Sequence, residues 1–409
     1  MPRMVRQLWE GQAGGFGERS RTFWYQAFVP DPIASIDPAF ALTAAEAVAE
    51  AERAVRDLVT APEMAGLEAL SRQLLRAESV ASSRIEGLQL SHRRLAKAVF
   101  DPTAADATAR AVVGNILAME RAIDLGATTR EVNTDDLLDI HRVLFAGTED
   151  EHLGGRIRGQ QDWIGGSSVN PRRAEFVPPP AAEVRPLLDD LCAFANRVDL
   201  PPVAQAAIAH AQFETIHPFA DGNGRVGRAI IHVILRRRGV APRFVPPISL
   251  VLLGNAGPYL EGLTLFREGG LAEWSTRFAH ALRDSTILAT RLGSTLAELQ
   301  ASWREAVGRP RRTSATQRLI ELLAARPVID IPTTAAVLDV SYPQAREAVL
   351  RLEEAGILRP VSIGRKRNRA WEAPTLLALL DEFEFEALTP TRNGEPRRAS
   401  PRRSRAPTS

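Results

Sequence analysis

From about Ala41 onward, apolar residues recur at three- and four-residue intervals, the spacing that lines one face of an α-helix. The pattern predicts helices in "LTAAEAVAEAERAVRDLV", "LEALSRQLLRAESVASSRIEGLQLS" and "HRRLAKAVF", then in "ATARAVVGNILAMERAIDLG" and "NTDDLLDIHRVLFAG", the last with Asn133 or Thr134 as its cap. Between Gly154 and Pro180 the helical period stops. There "RGQQDWIGGSSVNPRRAEFVPP" sets β-type residues about a Gly-Ser-Asn turn and predicts a hairpin or flap. Helices resume near Ala181 and continue, with breaks at Pro201, Pro218 and "APRFVPP", to about Leu299. Residues 1 to about 38, including "RTFWYQAFVPDPI", lack that period and read as an arm laid across a domain surface.

The polar linker "GRPRRTSA" opens a second unit. "TQRLIELLAA", "TTAAVLDV" and "SYPQAREAVLRLEEAGILRPV" predict three helices, the last two joined by a short turn, and "ILRPVSIGRKRNRAWEA" predicts two strands about a basic Gly turn. Three helices followed by a two-stranded wing resemble a winged helix. From Thr389 the tail carries Pro, Ser and Arg without apolar pattern and is expected to be disordered. The expected division is an arm over 1–38, helical regions over 39–105 and 106–300, the winged helix over 309–375 and the basic tail over 389–409.

At 409 residues the chain exceeds one ordinary core, so two or three domains are expected, and its apolar and charged fractions are those of a soluble globular protein. The formal net charge of +2 selects no partner. Lys occurs only at Lys97 and Lys366, so the wealth of Arg reads as coding bias before it reads as nucleic-acid binding. Cys192, the single cysteine, lies in the apolar pattern "VRPLLDDLCAFA"; it is expected in the core, and a disulfide framework within the chain is excluded. Neither a signal-peptide core nor a bilayer-spanning run is present, so a cytoplasmic protein without a membrane partner is expected.

The chemistry concentrates in "IHPFADGNGRVGR", Ile216 to Arg228. Gly222, Asn223 and Gly224 leave backbone N–H groups bare and permit positive φ, so they can wrap an anion. The helical run "AIIHVILRRR" behind them would set those groups at a helix N-terminus, with its partial positive charge. Arg225 and Arg228 lie three residues apart and can fork onto further phosphate oxygens. Asp221 can hold a hard cation that shares those phosphates, and His217 is the candidate base. A plain turn before a helix would also account for "ADGNG" taken alone. A Walker A loop is missing, "GQAGGFG" near Gly11 has the wrong spacing for a dinucleotide fingerprint, and without His-Glu-x-x-His a zinc site at His210 and His217 is not supported.

In order, His217, Phe219, Asp221, Gly222, Asn223, Gly224, Arg225 and Arg228 fill every specified position of His-x-Phe-x-[Asp/Glu]-Gly-Asn-Gly-Arg-x-x-Arg, and the segment resembles the signature of Fic/Doc proteins. The flanks "AAIAHAQFETIHPF" and "GGRIRGQQDWIGGSSVNPRRAEFVPPP" agree, and the resemblance runs from about Phe23 to about Leu282. It implies a mainly α fold, a Fic helical bundle with a small β-hairpin flap, here followed by the C-terminal winged helix. It further implies a protein adenylyltransferase with ATP as substrate and Mg2+ as cofactor. AMP would pass to a Ser, Thr or Tyr hydroxyl of a target protein, self-modification included, and pyrophosphate would leave. In that scheme His217, with a pKa near 7, accepts the hydroxyl proton and Asp221 binds magnesium. Gly222, Asn223 and Gly224 form the anion loop, with the Asn223 side chain on the α-phosphate; Arg225 and Arg228 hold the β- and γ-phosphates, and Phe219 anchors the loop. The flap edge "EFVPP" would take the target's main chain by strand addition. Near adenine the family's Asn-x-x-x-Tyr-Tyr is "NAGPYL" here, with Asn255 and Tyr259 kept and Leu260 in place of the second Tyr.

Upstream, "SSRIEG" resembles the family's inhibitory helix, [Ser/Thr]-x-x-x-Glu-[Gly/Asn], at Ser82, Glu86 and Gly87. Glu86 would form a bidentate pair with Arg228 and fill the γ-phosphate subsite, so that the chain is autoinhibited in cis. Other readings stay open: another donor, removal of AMP, or a DNA-binding regulator whose Fic body senses nucleotide. In the last, Arg346 and Arg351 would lie on the recognition helix and Arg365 to Arg369 in the wing. Oligomerisation is open as well.

Overall fold

The structure, a computed structural model, describes residues 2–11, 21–60, 68–167, 169–362 and 369–389. The N-terminal arm proves to be a β-ribbon: β1 (Arg3–Trp9) runs antiparallel to β2 (Phe23–Val29), with Arg3 opposite Val29 and Trp9 opposite Phe23. Helices then dominate, as expected. In chain order they are α1 (Leu42–Thr60), α2 (Glu68–Ile85), α3 (His92–Phe100), α4 (Ala107–Gly126), α5 (Thr134–Phe145), α6 (Ala181–Ala195), α7 (Pro202–Ile216), α8 (Asn223–Arg237), α9 (Ile248–Gly254), α10 (Ala256–Arg267) and α11 (Leu271–Ala306).

The C-terminal unit follows as α12 (Ala315–Ala325), β3 (Val328–Asp330), α13 (Ile331–Leu338), α14 (Tyr342–Glu354), β4 (Arg359–Val361), β5 (Ala370–Glu372) and α15 (Pro374–Leu388). The three strands form an antiparallel sheet in the order β3-β5-β4. The three helices and the β4–β5 pair were legible in the sequence; β3 and α15 were not. The basic turn at 363–368, the tail from 390 on and most of "GQAGGFG" lie outside the described residues.

Helices α7 and α8 are the centre of the molecule. From Val203 to Ile216, and from Asn223 to Leu235, every residue is buried, so neither helix carries the one-sided stripe of a surface helix. Helices α1, α6, α10 and α11 pack on α7, and α2, α4 and α5 on α8. Trp274 of α11, 1% exposed, donates its indole N–H to the Ala207 carbonyl at 2.8 Å. At the start of α5 the cap is Asn133: its side chain accepts the Asp136 N–H while the Asp136 carboxylate accepts the Asn133 N–H. Cys192 is buried as expected, and burial pushes its thiol up to about 12, which leaves it protonated and inert. Among the described residues no helix is long and apolar enough to cross a membrane.

Among the described residues the expected hairpin between α5 and α6 is reduced to a single bridge, Ile164 to Phe176, after which Gly165 and Gly166 turn the chain at φ 75° and 73°. The flap edge "EFVPP" is also not free along its length. Phe28 of β2 donates its N–H to the Val177 carbonyl at 2.9 Å, and the rings of Phe28 and Phe176 lie 5.9 Å apart. A main-chain group that the sequence reading assigned to a target is thus taken by the protein's own ribbon.

Candidate active site

Helix α7 stops where His217 enters the left-handed region, φ 48° and ψ 62°, immediately before Pro218, a residue that disfavours helix in its predecessor. The loop that follows is built around Phe219. Its ring is fully buried and stacks on His141 of α5 at 3.7 Å, with Phe213 at 6.0 Å on another side. Gly222, at φ 84°, is the N-cap of α8; a Cβ there would lie 2.9 Å from Leu144 Cδ2, so both conformation and space call for glycine. The bare N-terminus of α8 is therefore presented at Asn223 and Gly224, as expected.

One expectation fails at Asn223. Its amide nitrogen donates to the Phe219 carbonyl and its amide oxygen accepts the Phe219 N–H, both at 2.8 Å, and the residue is 3% exposed. The side chain ties the loop shut and is not available to a phosphate. Asp221 stands at the cleft edge with its side chain 54% exposed, where Arg225 Nη2 reaches both carboxylate oxygens at 3.3 Å.

His217 is a neutral imidazole. Burial first, then the nearby Arg158 guanidinium, lower its pKa to about 4, against the opposing pull of the Glu214 carbonyl and Glu86. The expectation of a value near 7 is corrected: the ring keeps its lone pair throughout the neutral range. Its Nε2 faces Asp162 Oδ2 of the flap at 3.4 Å.

Glu86 sits one residue beyond α2, and the reason is the chain reversal that ends the helix. Leu88 N–H bonds the Ser83 carbonyl at 3.0 Å and Gly87 N–H the Arg84 carbonyl at 2.9 Å, with Gly87 at φ 82°, the Schellman arrangement. Gly87 is the left-handed stop and Glu86 the C-cap. From there Glu86 Oε1 accepts from Arg228 Nη2 at 2.7 Å, a single hydrogen bond and not the expected fork. Arg228 also donates to Ser82, Nε to Oγ at 2.9 Å and Nη2 to the carbonyl at 2.8 Å. Burial opposes ionisation of Glu86, but Arg228, with Arg225 and His217, outweighs it and lowers the pKa. The carboxylate lies so close over Gly224 that a Cβ there would meet Oε1 at 2.0 Å.

Helix α2 is itself held at several points. Buried Glu78 joins His232 of α8 at 3.0 Å and accepts both N–H and O–H of Ser249 in α9 at 2.7 and 2.6 Å. Asn115 of α4 donates to the Ser79 carbonyl at 2.8 Å and Ser83 Oγ at 3.0 Å. Gln73 and Arg76 donate to the Ala324 and Ala325 carbonyls of α12 at 2.5 and 2.7 Å.

Against this geometry stand the comparisons with known proteins. Residues 131–235 match the Fic/DOC family, and residues 45–124 match the Fic/DOC family N-terminal region. The chain carries a Fic/DOC domain preceded by a Fic/DOC N-terminal region. It is 34% identical over 153 residues to protein adenylyltransferase fic-1 of Caenorhabditis elegans, covering 35% of this chain and 29% of that protein. To protein adenylyltransferase Fic of Drosophila virilis it is 34% identical over 119 residues, 28% of this chain and 22% of the fly protein. The chain thus spans less than a third of the length of these curated relatives. Among solved structures, a Fic family protein from Desulfovibrio desulfuricans G20 aligns with TM-score 0.49 and 22% identity over 82% of this chain and 97% of that chain. Fic-1 of C. elegans, residues 134 to 508, aligns with TM-score 0.48 and 23% identity over 61% of this chain and 74% of that chain.

The structure gathers Ser82 and Glu86 of the N-terminal region with Asp221, Gly222, Gly224, Arg225 and Arg228 of the Fic domain around the α8 N-terminus, with His217 beside them. A cleft of about 210 Å³ opens there, lined by Glu86, Asp221 and Arg225. Asn255 and Tyr259 are not brought into it. They line a separate cleft of about 340 Å³ with Trp274 and Arg277, and the Tyr259 hydroxyl points inward to His210 Nε2 at 2.9 Å. His210 is fully buried, packed against Tyr259 and Trp274. His141 of the Fic domain escaped sequence reasoning, because nothing marks it in "DIHRVLF". The Gly155 N–H donates to its Nδ1 at 3.0 Å, so Nε2 carries the proton and donates to the Asp221 carbonyl at 2.9 Å.

Proposed function

We propose that the chain is a protein adenylyltransferase that moves AMP from ATP to a Ser, Thr or Tyr hydroxyl of a protein, and that Glu86 holds it in a low-activity state. The observation that carries the reading is the Glu86 side-chain carboxylate, 2.7 Å from Arg228 Nη2 and close over Gly224: an anion from the chain itself lies over the α8 N-terminus, where an incoming anion would sit. The adenylyltransferase names of relatives sharing about a third of their residues in the matched region support the choice of donor and acceptor.

In the reaction the acceptor oxygen attacks the α-phosphorus, the bond to the bridging α–β oxygen breaks, and pyrophosphate leaves with that electron pair. The acceptor proton goes to the His217 imidazole, which is neutral at neutral pH and so has a nitrogen lone pair to receive it. The α8 amides and Arg225 hold the phosphates, and Arg228 receives the γ-phosphate once Glu86 has left it. Magnesium is usually held by one or two carboxylates, and Asp221, a half-exposed carboxylate at the cleft edge, would hold it. When bound, the ion would neutralise charge on the leaving pyrophosphate. The test is labelling of Glu86→Gly with α-labelled and γ-labelled ATP. Only the α-label should enter protein, and Glu86→Gly/His217→Ala should lose it by about 10² to 10⁴ in rate; γ-label in the protein would replace this reading with a kinase-like one.

For the C-terminal unit, the observation favouring nucleic acid is a cleft of about 270 Å³ in which Arg346 and Arg369 meet Tyr342. Arg351, by contrast, is engaged with the Val307 carbonyl at 2.6 Å. Binding to duplex DNA that weakens steeply with salt supports this second reading, and salt-independent or absent binding refutes it.

A further inference from the structure

Arg158 opens the segment that becomes the flap, and its side chain is spent entirely on main-chain carbonyls. Nε donates to His217 at 2.8 Å, Nη1 to Gln160 at 2.9 Å and Nη2 to Pro179 at 2.5 Å, with Ile216 3.5 Å from the same Nη2. Its own N–H donates to the Pro218 carbonyl at 2.9 Å. The residue is 6% exposed. Ile216 and His217 are the last carbonyls of α7, the negative end of that helix, where a cation is favoured. Gln160 and Pro179 stand on the two legs of the flap.

One planar guanidinium therefore joins three things: the C-terminus of α7, the left-handed residue that carries the base, and both legs of the flap. Within the flap itself the only ladder pairing among the described residues is the Ile164–Phe176 bridge. The flap's position over the base is then set at its root, by Arg158. Two consequences are visible: Asp162, four residues along, comes within 3.4 Å of His217 Nε2, and the Val177 carbonyl is aligned with β2.

We propose that Arg158 is a positioning residue for the transfer reaction, registering the flap and any main chain laid on it against the His217 imidazole. The proposal rests on the adenylyltransferase reading. A lysine cannot replace it, because an ammonium lacks the fixed fork that reaches carbonyls on three segments at once. Misplacement of reacting groups by about 1 Å is enough to cost about 10²-fold in rate.

The test uses the full chain and two readouts. In the Glu86→Gly background, the maximal rate of self-labelling with α-labelled ATP and magnesium is measured against ATP concentration. Arg158→Gln should lower that rate about 100-fold, with half-saturating ATP changed less than about threefold. Arg158→Lys should recover only part of the loss. Arg238→Gln is the comparator for a purely structural clasp, since Arg238 likewise donates to the carbonyls of Val198 and Leu200 at 2.8 and 2.9 Å but at the opposite end of α8. Its labelling rate per folded molecule should not move. The second readout needs no donor: in nucleotide-free wild-type background, Arg158→Gln should speed amide exchange at Ile164, Glu175 and Phe176, and Arg238→Gln should not. Unchanged exchange at those three amides, or a rate loss no larger than that of Arg238→Gln, overturns the proposal. Absence of label in the Glu86→Gly parent overturns the transfer reading instead, while the exchange data still judge the clasp by themselves.

Discussion

Glycine in place of Glu86 should tighten ATP and loosen the empty protein by the same amount, because one hydrogen bond is responsible for both. Arg228 is 1% exposed, and among the described residues the Glu86 oxygen 2.7 Å from its Nη2 is the carboxylate that hydrogen-bonds it. A hydrogen bond to a charged group contributes about 1.5–3 kcal/mol. The Glu86 side chain is 33% exposed, so solvent screening puts the figure at the low end, about 1.5 kcal/mol. Helix propensity adds nothing to this, since Glu86 is the C-cap and the glycine falls outside the helix interior. At about 1.4 kcal/mol per decade, ATP should bind ~10-fold tighter to Glu86→Gly than to wild type. Calorimetric titration with ATP and with AMP provides the check. AMP has no phosphate to place on Arg228, so its affinity should be the same in both proteins. The thermal midpoint of the empty variant should fall and recover on adding ATP. An equal gain for AMP, or no gain for ATP, would show that Glu86 does not compete for the terminal phosphate.

Three further outcomes follow from particular contacts. The His217 pKa is lowered, so the neutral ring persists as pH falls until about 4; its proton NMR signal should hold the neutral shift from pH 8 down to 5.5, and a midpoint near 6.5 would contradict the buried geometry. Gly87 has nothing within 4 Å of a built Cβ but lies at φ 82°, so Gly87→Ala should destabilise by about 1 kcal/mol and raise self-labelling, whereas Gly87→Asn should do less of both; equal behaviour of the two in urea and labelling assays would discount the left-handed cap. Phe219→Ala should cost about 3–5 kcal/mol in urea denaturation, as expected for deleting a fully buried ring stacked on His141.

What the sequence disclosed and what it hid divide along the length of chain between partners. The anion loop is contiguous, Gly222 to Arg228, and each glycine answers a local demand of conformation or space, so its order alone identified it. Ser82, Glu86 and Gly87 were legible for a similar reason: the Schellman stop forces a residue at home with positive φ directly after the carboxylate. Arg158 was not legible. It is one arginine among many, and its acceptors His217 and Pro179 lie far along the chain, where no period links them. The β-ribbon was missed because "FWYQAFV" is apolar on nearly every position and so shows no alternation, although its inward face is set by Ala27 and Val29. Tyr259 was placed near adenine by its spacing from Asn255, which fixes a helix position and not a direction; the hydroxyl turned to His210.

Helix α2 is pinned along its length by Glu78, Asn115 and the carbonyls of α12, and the carboxylate that meets Arg228 projects from the turn just beyond its last residue. Nothing in the backbone has to shift for that carboxylate to leave. Its departure is a rotation about a few side-chain bonds, an event of nanoseconds to microseconds, whereas displacing a helix takes microseconds to milliseconds. The occupied and vacant forms of the site therefore interconvert far faster than any turnover, and the fraction vacant at a given moment is set by concentration and affinity alone, as for a tethered competitive ligand.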